Sequence, residues 1–385
     1  MKRLLVLLTC LTLFAASASA QTPTLKKADA KKLAKAVGLY MVADMTNDPA
    51  ERLDARDEIL KVLEGFEKKK ITGVEIYRYL NDWKDAMDGR AGKFPKAKPG
   101  KYTTKELPNG TELGYWVPND YKPKNGGVPL VLYVGDGGDV NRSVVEALPA
   151  ELLATCAVAP VTLAGMDADT LLSQGRTNFL FALALISQDL RIDRNRVFVI
   201  AGGDAVEEAS YLCSLLPHVT AGLAIFGNDV DPKISANNLN LLTIEKVDDL
   251  AAASTWVLGA EPRDPFRKEL SFDLAESKFP RFFWVQVKKF DPPEDGKAAT
   301  IKVTADRATN TIVIEAEHVY QVELFLNDSL VDLSKPIIVR RNGQELTLTS
   351  NPGFATLLEN VKAYLWDTGC IFPSRLRGID IPAKE

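Results

Sequence analysis

The segment that decides the fold spans residues 196–206 and reads RVFVIAGGDAV. Its apolar part, residues 197–201, is a continuous run of the kind that forms a strand buried on both faces of a sheet. Gly202, Gly203 and Ala205 follow, and residues this small permit a tight turn. We therefore expect a buried strand, a sharp turn and then a helix at this point in the chain.

Similar apolar runs recur through the middle of the chain, with helical segments between them. The strand candidates are residues 129–134, 157–163, 197–201, 223–226, 255–258 and 282–287. The main helical segments between them are residues 170–188 and 205–216. Strand and helix alternating in this way predict a mostly parallel sheet with helices on both faces. Ahead of these strands, the turn signal Pro108-Asn109-Gly110 predicts a hairpin.

The chain before residue 92 has a helical pattern. Apolar side chains recur at helical spacing there, and they predict a helical hairpin or a small bundle over residues 21–92. These side chains are Ile59, Leu60, Leu63 and Phe66, then Ile76, Leu80, Trp83 and Met87. Thr72 and Glu75 form a capping box at the start of the second set. Residues 92–100 contain prolines and glycines that interrupt both regular periods, and we interpret them as a linker.

After residue 296 the alternation ends and the pattern becomes β-rich. The strand candidates are residues 301–304, 311–316, 322–326, 337–341 and 345–349. Asn342-Gly343 predicts a tight hairpin, and residues 354–366 predict a helix. The predicted fold class is therefore α/β: a domain at 101–290, preceded by the helical segment and followed by a small sandwich-like domain at 298–385.

The first 20 residues have the pattern of a secretory signal peptide. Lys2 and Arg3 precede an apolar run at 4–16, and Ala18-Ser19-Ala20 supplies a cleavage site before Gln21. A membrane anchor would need about 20 consecutive apolar residues, and polar residues interrupt this shorter run. We expect export to the periplasm or outside the cell, with no membrane span after cleavage.

Charge and cysteine content exclude several classes of protein. The chain holds 47 basic and 51 acidic side chains, and the signal removes two basic ones, so the mature formal charge is 45 − 51 = −6. A mildly acidic chain argues against a nucleic-acid partner. Cys156, Cys213 and Cys370 allow at most one disulfide bond and lack the spacing of metal ligands.

Two segments together resemble a known family. Residues 128–138 read VPLVLYVGDGG and residues 193–199 read DRNRVFV. They are similar to secreted α/β-hydrolases of the esterase, poly(3-hydroxybutyrate) depolymerase and prolyl-oligopeptidase-like type, over about residues 101–290. In that family the first segment usually carries His-Gly after the strand, where this chain has Val134-Gly135. Residues 290–293, 330–333 and 341–343 also resemble the appended domain of some multi-domain bacterial proteins in this group.

The resemblance implies a serine nucleophile on a strained elbow, in the pattern G-x-S-x-G, and this chain has no serine there. If Gly203 takes the nucleophile position, its flanks Ala201 and Ala205 are both small. If Asp204 takes it, the β-branched Val206 crowds the turn. Asp204 is a possible carboxylate nucleophile, and it equally suits the positive end of the helix dipole. The strand length favours Gly203.

The sequence is also incomplete at the other positions of a catalytic triad. A general base should follow the last strand, but the only histidines are His218, after the post-elbow helix, and His318, within the β-rich part. We expect His218 to cap the helix or face solvent and His318 to end a strand. Asp264 matches the position of the triad acid. The serines nearest the predicted site are expected to have helix or packing roles; they are Ser143, Ser210 and Ser214.

Four aspartates are predicted to follow the carboxyl ends of parallel strands, where open α/β sheets bind ligands. They are Asp136, Asp204, Asp229 and Asp264. Oxygen ligands of this kind suit a hard cation, but aspartates are also common in such loops as helix caps. Gly135, Gly137 and Gly138 complete the predicted ligand-binding loop, although their spacing fits neither a phosphate loop nor a dinucleotide site.

Three functions follow from these residues. The first is an exported, catalytically inactive hydrolase-fold protein that binds or scaffolds an unknown protein or a cell-envelope ligand, without a cofactor. The second is an ester or peptide hydrolase with a non-standard site built on Asp204, with Asp229 or Asp264. The third is a lectin-like protein that binds a small molecule or a metal ion.

Overall fold

The structure is a computed structural model. It describes residues 27–45, 49–69, 97–106, 112–135, 142–163, 166–274, 281–291, 298–364 and 366–384. Some predictions therefore lie outside the described residues. They are the signal peptide at 1–20, the second set of helical residues at 76–87 with its capping box, the linker up to residue 96, the turn at 108–110, and Asp136, Gly137 and Gly138.

Seven strands form the first sheet, in the order β1-β2-β4-β3-β5-β6-β7. They are β1 (Lys101–Glu106), β2 (Glu112–Val117), β3 (Val128–Val134), β4 (Ala157–Pro160), β5 (Ile192–Gly202), β6 (Gly222–Phe226) and β7 (Ile244–Lys246). The first two form an antiparallel hairpin, and β2 is also antiparallel to β4. The other four pairings are parallel. The mostly parallel sheet predicted from the sequence is confirmed, with β5 near its centre.

The helices within the described residues are α1 (Lys27–Met45), α2 (Pro49–Lys68), α3 (Arg142–Glu146), α4 (Ala150–Thr155), α5 (Arg176–Asp189), α6 (Ala205–Leu215), α7 (Ala236–Leu239), α8 (Leu250–Gly259) and α9 (Phe354–Ala363). A short helical turn, Ala168–Thr170, and a π-helical stretch, Leu171–Gly175, lead directly into α5. Among the described helices, none combines the length and the apolar character needed to cross a membrane.

Helices cover both faces of the sheet because successive side chains of a strand point to opposite sides. Val197 and Val199 of β5 join a buried cluster with side chains of α5 and α6. Phe198 and Ile200 point the other way and join a cluster with α4 and α8. On that face Phe198 meets Trp256 edge to face at 5.8 Å. The continuous apolar run in the sequence thus corresponds to a strand that is buried on both sides.

Two predicted strands of this sheet are wrong. Residues 255–258 belong to α8, whose first turn is capped by Asp249 accepting from the backbone N of Ala252 at 2.8 Å. A four-residue apolar run cannot be distinguished from a buried helix by its periodicity, which explains the error. Residues 282–287 fall in β9 (Arg281–Phe282) and β10 (Val285–Phe290), which pair with each other and not with the parallel sheet.

The β-rich part consists of two sheets, ordered β16-β13-β10-β9 and β15-β14-β12-β11-β8. Its remaining strands are β8 (Glu269–Leu274), β11 (Ala299–Asp306), β12 (Thr311–Glu317), β13 (Val319–Leu326), β14 (Ile337–Arg341), β15 (Gln344–Leu348) and β16 (Ser374–Asp380). Asn342 and Gly343 both have positive φ between β14 and β15, as the predicted hairpin requires. Because β8, β9 and β10 pair within these sheets, the two architectures divide before residue 269 and not at the predicted boundary of 290.

The two N-terminal helices pack against the β-rich part. Leu33 of α1 and Phe66 of α2 belong to the same buried cluster as the strands of both β sheets. Asp44 at the end of α1 accepts from Lys362 Nζ at 2.6 Å and from Trp366 Nε1 at 2.9 Å. The sequence pattern indicated the helices, but it gave no sign of the surface on which they would dock.

Candidate functional site

The elbow lies where β5 ends and α6 begins. Gly203 has φ +54°, in the left-handed region that glycine adopts most easily. Its backbone N donates to the carbonyl of Phe226 at 3.0 Å, and its own carbonyl accepts from the N of Val206 at 3.2 Å. Asp204 has an ordinary right-handed helical conformation at the start of α6. The one strained position of the turn is therefore occupied by Gly203.

Close packing of β5 against β6 accounts for the small residues at this turn. A Cβ built on Gly202 would lie 2.3 Å from Cζ of Phe226, and one on Gly227 would lie 3.1 Å from the N of Gly203. These distances are shorter than side chains tolerate without a shift of the ring or the backbone. The elbow sequence is thus explained by packing, without any need for a nucleophile.

We call the end of the sheet at Gly203 and Phe226 the elbow end. Of the predicted aspartates, the structure places Asp204 and Asp229 there, and both are exposed. Asp204 Oδ1 accepts from Asn228 Nδ2 at 3.2 Å, and Asp229 forms an ion pair with Lys246. The two carboxylates are thus bonded to different partners and do not share one.

Asp264 lies elsewhere, which corrects its assignment as the triad acid. It follows α8 and not a strand, and its Oδ1 accepts from the backbone N of Phe266 at 2.8 Å. The preceding residue, Arg263, donates its backbone N to the carbonyl of Asn195 at 2.9 Å, near the start of β5. We call this the amino end of the sheet. Eight strand residues separate Asn195 from Gly203, which is roughly 26 Å at about 3.3 Å per residue.

Neither histidine is at the elbow end. His318 sits between β12 and β13 with φ +57°, exposed, and its Nδ1 is 3.2 Å from Asp291 Oδ2. His218 follows α6 at the amino end, where its carbonyl accepts from Arg263 Nη1. Its ring meets Tyr364 of the C-terminal part edge to face at 5.7 Å. His218 therefore faces the β-rich part and not bulk solvent, which the sequence did not indicate.

The serines near the elbow are engaged in local bonds. Ser210 is buried in α6, donates to the carbonyl of Glu207 at 2.9 Å and accepts from the N of Asp231 at 2.8 Å. Ser214 donates to the carbonyl of Tyr211 at 2.7 Å. Ser143 lies exposed in the first turn of α3. The hydroxyls of Ser210 and Ser214 thus bond to helix backbone, as serines within helices commonly do.

The predicted glycine loop is described only at its start. Gly135 is buried directly after β3. No group of three or more histidine, cysteine, aspartate or glutamate side chains in the described ranges is placed to hold a metal ion. The three cysteines are buried and free, and burial raises the pKa of the Cys156 thiol to about 11.

No family model matches the sequence, and no curated protein matches it either. Solved structures with partial similarity are esterases and hydrolases. An S-formylglutathione hydrolase from Agrobacterium tumefaciens shares 13% identity, covering 32% of this chain and 56% of its own, with a TM-score of 0.25. A thermostable esterase shares 17% identity over 41% and 59%, with a TM-score of 0.26. A ferulic acid esterase from the anaerobic fungus Anaeromyces mucronatus shares 16% over 43% and 82%, with a TM-score of 0.27.

These matches span less than two thirds of the first two neighbours, and their TM-scores are low. The fold class therefore rests on the strand order and the parallel pairings of this chain itself. The residues that sequence reasoning missed at the elbow end are Phe226 and Asn228. In the sequence, Phe226 is the last residue of a strand candidate, and no pattern there links it to Gly202.

Proposed function

We propose that this protein is an exported, hydrolase-like protein that lacks hydrolytic activity and serves as a binding or scaffolding module. One observation carries the proposal: the strained position of the elbow holds Gly203, which has no side chain to act as nucleophile. Acyl transfer by a triad needs a nucleophile, a base within hydrogen-bond reach and an orienting acid. His218 and His318 both lie away from the elbow end, and so does Asp264.

Asp204 is the remaining candidate for a nucleophile. Its side chain is exposed and accepts a hydrogen bond from Asn228, which leaves the carboxylate solvated. Asp229, one of its predicted partners, is paired with Lys246. These contacts favour a surface carboxylate at a helix start over a catalytic one.

The expected partner is a protein or a cell-envelope ligand. The helices α1 and α2 share one buried cluster with the β-rich part, while the seven-stranded sheet has clusters of its own, so the protein offers the surfaces of several packed units for partner contact. Export depends on the pattern at residues 1–20. Mass spectrometry of the protein from the host's envelope or medium should find Gln21 as the N-terminal residue, whereas an intact Met1 in the cytoplasm would contradict export.

The hydrolytic test uses nitrophenyl acetate and nitrophenyl butyrate with the full mature chain. We expect the buffer rate, unchanged in Asp204→Asn. Asp248→Asn is the matched control, since Asp248 is an exposed carboxylate just after β7 and belongs to no hypothesis of a site. Turnover above buffer that Asp204→Asn abolishes and Asp248→Asn retains would replace this proposal with the Asp-based hydrolase.

A further inference from the structure

A cavity of about 320 Å³ lies at the amino end of the sheet, between its helices and the β-rich part. Its walls come from α5, the start of β5, the segment after α6, strands β9 and β10, and the segment after α9. Three arginines line it: Arg176, Arg194 and Arg281. Arg194 and Gly203 are nine strand residues apart, so the cavity is roughly 30 Å from the elbow.

The lining carries more positive than negative charge. Among the described lining residues, Asp367 is the only carboxylate, against the three arginines. Asp367 is itself neutralised, since its Oδ2 lies 2.6 Å from Arg263 Nη2 and both side chains are at most 4% exposed. Arg194 is buried and Arg176 and Arg281 are half-buried, and burial lowers the pKa of Arg176. An anion in this space would interact favourably with these partly buried cations.

Arg281 is held rigidly by neutral groups. It donates from Nη1 to the carbonyl of Ala363 at 3.1 Å and from Nη2 to Gln286 Oε1 at 3.0 Å. Its guanidinium also lies over the rings of Phe325 and Tyr364, 4.9 and 4.8 Å from their centroids. Its buried Nε has no hydrogen-bond partner among the described residues. The position of this charge is thus fixed by its neighbours before any ligand binds.

His218 gives a second, independent sign of a missing ligand. Its Nδ1 is buried and has no hydrogen-bond partner within the described part of the chain. Burial first, and then the charges of Arg263 and Arg281, lower the pKa of His218 to about 3, so the ring is neutral. A neutral imidazole donates from one nitrogen and accepts at the other, so Nδ1 is able to bond to a ligand in the cavity.

The rest of the wall is apolar. Leu180, Leu183, Leu215, Leu216 and Val219 face the cavity from α5, from the end of α6 and from the segment after it. A bare inorganic ion would leave this surface in contact with water. The volume is at the lower end of small-molecule pockets, which combine an apolar lining with a few placed polar groups.

We propose that this cavity binds a small organic oxyanion, a carboxylate or phosphate group on an apolar body, with Arg281 and Arg194 at the oxyanion. Guanidinium groups present forked donors that match both head groups. Arg194 already donates from Nη1 to Ser187 Oγ at 3.2 Å, which fixes its orientation. The inference names a ligand class for the binding role proposed above and rests on that role.

The test compares benzoate with benzamide, its neutral counterpart of the same shape, and with phenyl phosphate. Calorimetry and thermal unfolding are measured on the full mature chain. A ligand that binds only the folded state raises Tm, so we expect benzoate or phenyl phosphate to raise it and benzamide not to. The tighter of the two anions identifies the head group. Absence of binding by both anions, or equal binding of benzamide, would overturn the inference.

Variants then locate the site. Arg281→Gln should weaken binding about tenfold or more, because hydrogen bonds to charged groups contribute about 1.5–3 kcal/mol and each 1.4 kcal/mol is tenfold. Leu180→Trp fills the cavity without removing charge and should abolish binding. Arg340→Gln, an exposed arginine paired with Glu345 on the other sheet, is the control and should leave the affinity unchanged.

Unaltered affinity in both Arg281→Gln and Leu180→Trp would refute the location, and Tm of each variant verifies that it is folded. Failure of this inference is distinguishable from failure of the proposed function. If the protein hydrolyses esters and still binds the anions, only the proposed lack of hydrolytic activity is refuted. If it neither hydrolyses esters nor binds the anions, only the anion site in the cavity is refuted.

Discussion

The two ends of the seven-stranded sheet differ in how deeply their charged side chains are buried. At the elbow end, Asp204 and Asp229 are exposed, and the turn holds a glycine without functional groups. At the amino end, Arg194, Arg263 and Asp367 are buried and tie the sheet to the β-rich part. Backbone packing thus accounts for the elbow, while the costly buried charges lie at the opposite end.

Burial decides how much each of these charges contributes. An exposed ion pair typically stabilises a protein by about 0–1 kcal/mol, because water already solvates both partners. Breaking a buried pair costs about 3–5 kcal/mol, since one charge is left without water or a partner. The contrast between the two ends is therefore a measurable difference in stability, and four predictions test it.

The largest effect is expected from Arg263→Met. The variant leaves the Asp367 carboxylate buried without its partner at 2.6 Å, and it removes donors to the His218 carbonyl and to Asn195 Oδ1. We expect the free energy of unfolding to fall by about 3–5 kcal/mol. Urea unfolding at pH 7 measures it.

The double variant Arg263→Met with Asp367→Asn is the control for this prediction. Replacing the orphaned carboxylate by a neutral amide should recover part of the loss, because a buried amide costs less than a buried charge. Additive losses from the two changes would contradict a direct pairing.

The second prediction is a pH dependence that originates at the amino end. The pKa of His218 is lowered to about 3 by burial and then by Arg263, Arg281 and Arg176, against a raising effect of Asp367. Below about pH 6.5 His218 is protonated in the unfolded chain but stays neutral in the folded protein. The free energy of unfolding therefore falls as pH decreases toward about 3. At pH 4.5 this amounts to about 2–3 kcal/mol.

His218→Phe should remove this part of the pH dependence. We expect the variant to lose less stability than the parent between pH 7 and pH 4.5 in urea unfolding. His318→Asn is the matched control, since His318 is exposed at a position with positive φ and Asn tolerates that conformation. If His318→Asn and His218→Phe change the pH profile equally, the assignment to the amino end is wrong.

The third prediction tests the elbow with Gly203→Ser. A serine at φ +54° adopts a left-handed conformation that costs about 1–2 kcal/mol. We expect this loss in urea unfolding and no hydrolysis of nitrophenyl acetate, because no histidine is described at the elbow end. Gly203→Ala carries the same strain without the hydroxyl. Turnover in the serine variant alone would show that a base is present after all.

Local patterns in the sequence predicted much of the fold. Residues 196–206 predicted β5, the turn and the start of α6, because an apolar run followed by two glycines is compatible with few local structures other than a buried strand and a tight turn. Asn342-Gly343 gave its hairpin for the same local reason. The strand pairings of the β-rich part were not predictable, since β10 pairs with β13 across a distance that no local pattern records.

The candidate site was predicted less well. The prediction that Asp264 lies at the elbow end depends on a strand at residues 255–258. These residues belong to α8, so Asp264 follows a helix and not the carboxyl end of a strand. The cationic cavity could not be predicted, because Arg176, Arg194 and Arg281 lie on different elements that only the packing of the two parts brings together. Single arginines separated along a chain carry no signal of their own.

The smallest effect is expected from Lys246→Met at the elbow end. Its Nζ pairs with Asp229, and the two side chains are 61% and 80% exposed, so water replaces the lost contact. We expect a change of about 0–1 kcal/mol in urea unfolding, and a smaller one at high salt, because salt screens exposed charges. A loss as large as that of Arg263→Met would contradict the distinction between the two ends. It would mean that Lys246 and Asp229 stabilise the elbow itself, and Asp229 would return as a site residue.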